Sequence, residues 1–239
     1  MEQYIMKTGL VLLLLAATVS AGSFLVIMDA STSMDDLLPT GESRLEAAKA
    51  AAIDFIDASQ GDEFAVMKFN GCEDGGDPQT GDIRVIRGLT SDKQALRSAI
   101  QGIGTGSWTP ITEAIIEGRE YVKSEMNGKG TIILLTDGEE NCGGDPVLEA
   151  QKTTDEGIAV INVISYSLAD DPAAKAQHQQ IAAAGGGKYY TAENKDELKQ
   201  AFQKIEQDQG GSSSVCCFPT FVLLFIAGAA FVRHREMRA

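Results

Sequence analysis

Three short stretches of this sequence carry side chains that could do chemistry together. They are Asp29-Ala-Ser31-Thr-Ser33, Thr109-Pro110 and Thr136-Asp137-Gly138. Asp29, Ser31, Ser33, Thr109 and Asp137 supply two carboxylates and three hydroxyls, an all-oxygen set. Hard oxygen donors suit Mg2+ or Mn2+ rather than zinc, which prefers His and Cys. Neutral hydroxyls as direct ligands leave part of the cation's charge uncompensated, so such a centre seeks one more anionic oxygen from outside. Each stretch also has a plainer reading. The serines could cap a helix, and Thr109-Pro110 could simply start one. The cation reading rests on all three occurring in order, each beside a strand-to-helix connection.

The elements that position these residues alternate regularly from Ser23 to Gln209. Apolar runs at Phe24–Met28, Phe64–Phe69, Ile132–Leu135 and Ile158–Ile164 predict buried parallel strands. Ile83–Arg87 alternates and predicts an edge strand, and Lys188–Thr191 predicts a short last strand. Helices are expected over Arg44–Ala58, Asp92–Ile103, Ile111–Met126, Val147–Glu156, Ala173–Ala184 and Asp196–Gln207. Ser91 with Gln94 reads as a capping box for the second, and Asp145-Pro146 as a cap with proline at the first helical position. The fold class is therefore α/β: a doubly wound, mostly parallel six-stranded sheet flanked by helices. In such sheets ligands sit at the carboxyl ends of the strands, where all three stretches fall.

Taken together, Asp-x-Ser-x-Ser after the first strand, Thr-Pro before a helix and Thr-Asp-Gly after the fourth strand resemble the von Willebrand factor type A (vWA) domain. The resemblance extends from Phe24 to Gln207 and includes Ala182-Ala-Ala-Gly-Gly-Gly-Lys-Tyr-Tyr190. It implies a metal-ion-dependent adhesion site. Ser31 and Ser33 would bind the metal directly, Thr109 would do so in the ligand-engaged state, and Asp29 and Asp137 would act mostly through water. The remaining position would take an Asp or Glu carboxylate from a protein partner. Ala30 and Thr32 stand where the family often has glycine. The resemblance to a bacterial subgroup of these domains also implies a Cys72–Cys142 disulfide, and both cysteines lie in loops leaving the same edge of the sheet.

The two ends of the chain read as addresses. Lys7, the apolar run Gly9–Ala17 and the small residue Ala21 predict a signal peptide over 1–21. An uncleaved anchor would put Phe24–Met28 in lipid, and the first strand needs those residues. From Val215 to Val232 there is no charge, and Arg233, Arg235 and Arg238 follow. That predicts one C-terminal transmembrane helix over 215–232 with a cytoplasmic tail over 233–239. Residues 210–214 read as a Gly/Ser tether, which leaves 22–209 as the domain, a single-pass membrane protein with that domain outside the cytoplasm. Processing of the C-terminus as a prokaryotic sorting signal near the Gly-Gly and Ser run stays open.

Composition narrows the function further. A net charge of −14 excludes a nucleic-acid partner, which needs a basic surface. Of the two histidines, His234 lies in the tail, and His178 reads as a solvated mid-helix residue, so no Ser-His-Asp triad is expected. Gly102-x-Gly104-x-Gly106 follows a helix, unlike a phosphate loop, and reads as backbone freedom for placing Thr109. Glu139 and Glu140 read as surface charge, and Trp108 as either a loop anchor or a contact residue. Cys216 and Cys217, at the membrane boundary, read as apolar. The expected function is protein binding through a divalent metal, not catalysis. A constitutive scaffold or regulatory subunit of a membrane complex is the alternative, ahead of a metal-dependent hydrolase.

Overall fold

A computed structural model describes residues 22–72, 82–168 and 171–210. The expected signal peptide, transmembrane span and tail lie outside the described residues, as does the tether apart from Gly210. Among the described residues no helix is long and apolar enough to cross a membrane.

Six strands form one sheet: β1 (Ser23–Asp29), β2 (Glu63–Phe69), β3 (Arg84–Thr90), β4 (Gly130–Thr136), β5 (Ala159–Tyr166) and β6 (Gly186–Ala192). Their order is β3-β2-β1-β4-β5-β6, with only β3 antiparallel to its neighbour. The connection from β1 runs one way to β2, and the later strands run the other way from β4. The carboxyl ends of β1 and β4 therefore meet where the winding reverses, which is where such sheets open a crevice. Met28 lies opposite Leu135, so Asp29 and Thr136 emerge side by side.

Alternation along β1 sends side chains to two cores. Phe24, Val26 and Met28 pack with α1 (Arg44–Ala58), α2 (Lys93–Gln101) and α6 (Lys195–Gly210). Phe55 of α1 meets Phe24 and Phe64 of the sheet edge-on, at 5.8 and 5.3 Å, and stacks on Phe202 of α6 at 5.0 Å, tying both helices to the sheet. Leu25 and Ile27 face α3 (Ile111–Glu125), α4 (Pro146–Asp155) and α5 (Pro172–Ala184). Both faces being covered explains why the central strands read as unbroken apolar runs.

The boundaries differ from expectation in instructive places. The cap of α2 is Asp92, whose carboxylate accepts from the Gln94 and Ala95 N–H groups, not the expected Ser91. A carboxylate complements the positive end of the helix dipole better than a hydroxyl. Strand β3 extends to Thr90, beyond the expected Arg87, and α6 runs through Gly210, the first residue of the expected tether.

Strand β6 begins at Gly186, two residues before the expected start at Lys188. A Cβ at Gly187 would collide with the backbone carbonyl of Ile161, where β5 and β6 shift register. Gly187→Ala is accordingly expected to destabilise the fold by roughly 2–4 kcal/mol, because backbone rather than a movable side chain must give way. Urea unfolding with an unchanged slope and a lowered midpoint is the expected result.

Candidate metal centre

The end of β1 builds the centre through one connected set of hydrogen bonds. Asp29 is fully buried, and its Oδ1 accepts the Ser31 N–H at 2.7 Å while Oδ2 accepts the Thr136 hydroxyl at 2.6 Å. One carboxylate thus ties the end of β1 to its own turn and to β4. The chain then winds into a short 3-10 turn, Thr32–Asp35, which places Ser31 Oγ 3.1 Å from Ser33 Oγ. The Ser33 hydroxyl donates to Asp137 Oδ1 at 2.6 Å. Ser31 precedes the turn, yet its side chain makes no capping hydrogen bond, so helix capping does not account for Ser31.

Thr109 comes from the loop between α2 and α3. The Thr109 N–H donates to Asn141 Oδ1 at 2.7 Å, and the Asn141 amide reaches Thr109 Oγ1 at 3.4 Å. These bonds fasten Thr109 to the loop following Asp137 rather than to the other four residues. The glycine-rich loop before α3 lies on the β1 turn: the Gly106 N–H donates to the Ala30 carbonyl at 2.7 Å, and Thr32 Oγ1 donates to the Gly106 carbonyl at 3.0 Å. A Cβ at Gly106 would stand 2.8 Å from the Asn70 side chain, so this glycine serves close approach. Beside Thr109, Trp108 holds a left-handed φ of 65° and stays 53% exposed, which places it at the surface rather than in the loop's packing.

Burial sets the electrostatics of these two carboxylates. Burial, followed by the repulsion of Asp137, pushes the Asp29 carboxyl up to about 7. Burial also raises Asp137, against the hydrogen bonds of Ser33 and Arg44 that pull it down. Two buried carboxylates that resist ionising together gain most from a positive charge between them. The donors available are hydroxyl and carboxylate oxygens, so the residues fit a hard divalent ion.

Several functional neighbours escaped the sequence reading. Thr136 holds Asp29, Asn141 holds Thr109, and Arg44 Nη1 contacts Asp137 Oδ2 at 2.9 Å. Only Thr136 had a signal, its place inside the Thr-Asp-Gly motif. His178, expected on the surface, is fully buried and reaches this loop. Its Nε2 lies 2.8 Å from the Gly138 carbonyl and its Nδ1 2.5 Å from Ser165 Oγ. A carbonyl only accepts, so Nε2 carries the proton, and burial pushes the imidazole down to about 4 and keeps it neutral. The signal was the stripe Ala174, His178, Ile181, Ala182, the buried face of α5. Glu140 is likewise more than surface charge: its carboxylate accepts from the Thr112 and Cys142 N–H groups, both at 2.6 Å, closing the start of α3. Cys72 and Cys142 are joined by a disulfide, with their Cα atoms 5.4 Å apart.

The sequence profile of the von Willebrand factor type A domain matches residues 25–204. The chain belongs to this family. The uncharacterized protein YwmC of Bacillus subtilis is 31% identical over 185 residues, covering 74% of this chain and 79% of its own. YwmD of the same organism is 38% identical over 102 residues, which span 42% of this chain and 45% of that relative's length. Among solved structures, an aerotolerance-related membrane protein from Bacteroides fragilis superposes with a TM-score of 0.63 at 23% identity, over 78% of this chain and 98% of that one. Proximal thread matrix protein 1 from the mussel byssus, whose metal-ion-dependent adhesion motif is occupied by zinc, gives 0.62 at 20% identity, over 80% of this chain and 46% of that one. At such identities the structural likeness concerns the vWA fold alone.

Proposed function

We propose that this vWA domain holds a divalent cation, Mg2+ or Mn2+, among Asp29, Ser31, Ser33, Thr109 and Asp137, and uses it to bind a carboxylate of a protein partner. The single observation that carries the reading is the continuous path Thr136–Asp29–Ser31–Ser33–Asp137 at the sheet's reversal point. A bound cation would supply Lewis acidity toward an anionic oxygen. The chain's own residues do the rest. Asp29 fixes the turn that aims both serine hydroxyls, Asp137 orients Ser33, and Asn141 holds Thr109 at the loop beside them. Membrane tethering by residues 215–232, with the domain outside the cytoplasm, belongs to the same proposal. The disulfide supports it, because such bonds persist in oxidising compartments. The bacterial relative described as a membrane protein has the same fold.

A selection from a phage-displayed random peptide library, on full-length protein in Mg2+, tests this reading. The expected binders carry Asp or Glu, elute with chelator, and are not recovered on Ser31→Ala. Binders that persist in chelator would favour the constitutive scaffold instead. Trp108 is the chain's one tryptophan, so its emission reports on such binding directly. Trp108→Ala is expected to weaken the selected peptides about tenfold, as for an exposed aromatic anchor beside the bound group. Unchanged peptide affinity would return Trp108 to a purely local role.

A further inference from the structure

Arg44 is the first residue of α1, a poor place for a cation, because the helix dipole is positive there. Its side chain is 21% exposed and spends its contacts on the proposed metal centre. Nη1 donates to Asp137 Oδ2 at 2.9 Å and approaches Asp36 Oδ2 at 3.3 Å and the Ser33 carbonyl at 3.4 Å. Nε is buried without a hydrogen-bond partner. A guanidinium that gripped Asp137 as a fork would use two nitrogens, whereas this one presents a single nitrogen to three oxygens.

From this arrangement we propose that Arg44 is a built-in counter-charge that weakens divalent-cation binding at the centre while leaving the loaded centre positively charged for an anionic partner. The inference rests on the proposed metal reading of that site. Its logic is a charge count. Asp29 and Asp137 together carry two negative charges when ionised, which a divalent ion alone would neutralise, leaving no excess to attract a carboxylate. With Arg44 on Asp137 Oδ2, the same ion leaves one positive charge in a poorly screened place, which Asp36, 64% exposed and screened by water, offsets only in part. The arginine repels the incoming cation by the same term. It also gives Asp137 a partner when no ion is present, sparing the fold an unpaired buried carboxylate.

The test is calorimetric titration of Mg2+ and Mn2+ into metal-stripped full-length protein at mildly alkaline pH, comparing wild type, Arg44→Gln, Arg44→Lys and Arg97→Gln. Arg97 pairs with Asp57, near the far end of α1, and controls for net charge alone. Arg44→Gln is expected to bind both ions about tenfold tighter than wild type, with Arg44→Lys and Arg97→Gln within about threefold of it. Thermal melts supply a readout that a merely structural residue would not move: Arg44→Gln should lose stability without metal and recover most of it with saturating Mg2+. If wild type binds metal and Arg44→Gln binds it equally or more weakly, the counter-charge role is wrong while the site stands. If wild type binds no metal, the site reading itself fails, and this inference with it. Should Arg44→Gln not fold, Asp36→Asn decides the matter. It leaves Asp137 as the arginine's one carboxylate partner, so cation affinity should fall about threefold or more, and an unchanged affinity overturns the proposal.

Discussion

Breaking the Cys72–Cys142 bridge is expected to lower stability by about 4 kcal/mol, the value the chain-entropy picture gives for this loop length. The bond closes a separation of 70 residues, from the loop after β2 to the loop after β4. Those strands flank β1, so the closed loop contains α2, β3, α3 and β4 and removes much of the unfolded chain's freedom. For a domain of this size that corresponds to a fall of about 10 °C in Tm. The effect should reach the centre as well. Cys142 donates its N–H to Glu140, and its neighbour Asn141 holds the Thr109 N–H, so a freed loop loosens Thr109. Thermal unfolding with and without reductant, alongside the Cys72→Ser/Cys142→Ser double variant, checks this. A Tm change under about 2 °C would mean that the loop is held by its other contacts.

Metal affinity should depend steeply on pH, and the sign follows from Asp29. Its carboxyl is raised to about 7 in the folded domain, above its ordinary 3.8. By itself that contributes stability that is complete below pH 3.8 and is lost as pH rises through 7. His178 works in the opposite sense. Depressed from 6.5 to about 4, it contributes stability that is present above 6.5 and is lost as pH falls through 4. Between roughly pH 4 and 6.5 these two slopes oppose each other, and Asp137, also raised by burial, adds to the Asp29 side, so the metal-free domain should lose stability as pH rises there. Saturating Mg2+ holds Asp29 ionised and removes its slope, which leaves stability rising with pH through His178. Binding would also expel the Asp29 proton below pH 7, so apparent affinity should weaken toward tenfold per pH unit, about fiftyfold from pH 7 to pH 5. Mn2+ titrations across that range, with proton release followed in two buffers, measure it. An affinity that does not vary with pH would show that no proton leaves Asp29 on binding.

The sheet and its helices were legible because their signals are local. β1, β2 and β4 are buried on both faces and read as continuous apolar runs, and α1 carries an apolar stripe with Ser43 at its start, whose hydroxyl accepts from the Glu46 N–H. The five proposed ligands could be placed for the same reason, since each lies in a short motif at a strand or helix end. What escaped depends on partners distant in sequence. Arg44 looks like an ordinary helix residue until Asp137, 93 residues away, comes beside it. Glu140 and Asn141 look like exposed loop until Thr112 and Thr109 arrive to donate to them. His178 looked polar and was assigned to water, although its spacing from Ala174 and Ile181 put it on the buried face of α5. Gly187 falls outside the expected last strand because the carbonyl it must clear, that of Ile161, belongs to another strand.

The central claim is that Asp29, Ser31, Ser33, Thr109 and Asp137 together hold a divalent cation. Thermal unfolding of metal-stripped full-length protein, titrated with Mg2+ and with Mn2+, tests it most directly. Wild type should gain about 2.7 kcal/mol at a metal concentration 100 times its dissociation constant, and Ser31→Ala and Asp137→Ala should gain nothing at that concentration. Identical melting of wild type in saturating Mg2+, saturating Mn2+ and chelator would contradict the claim.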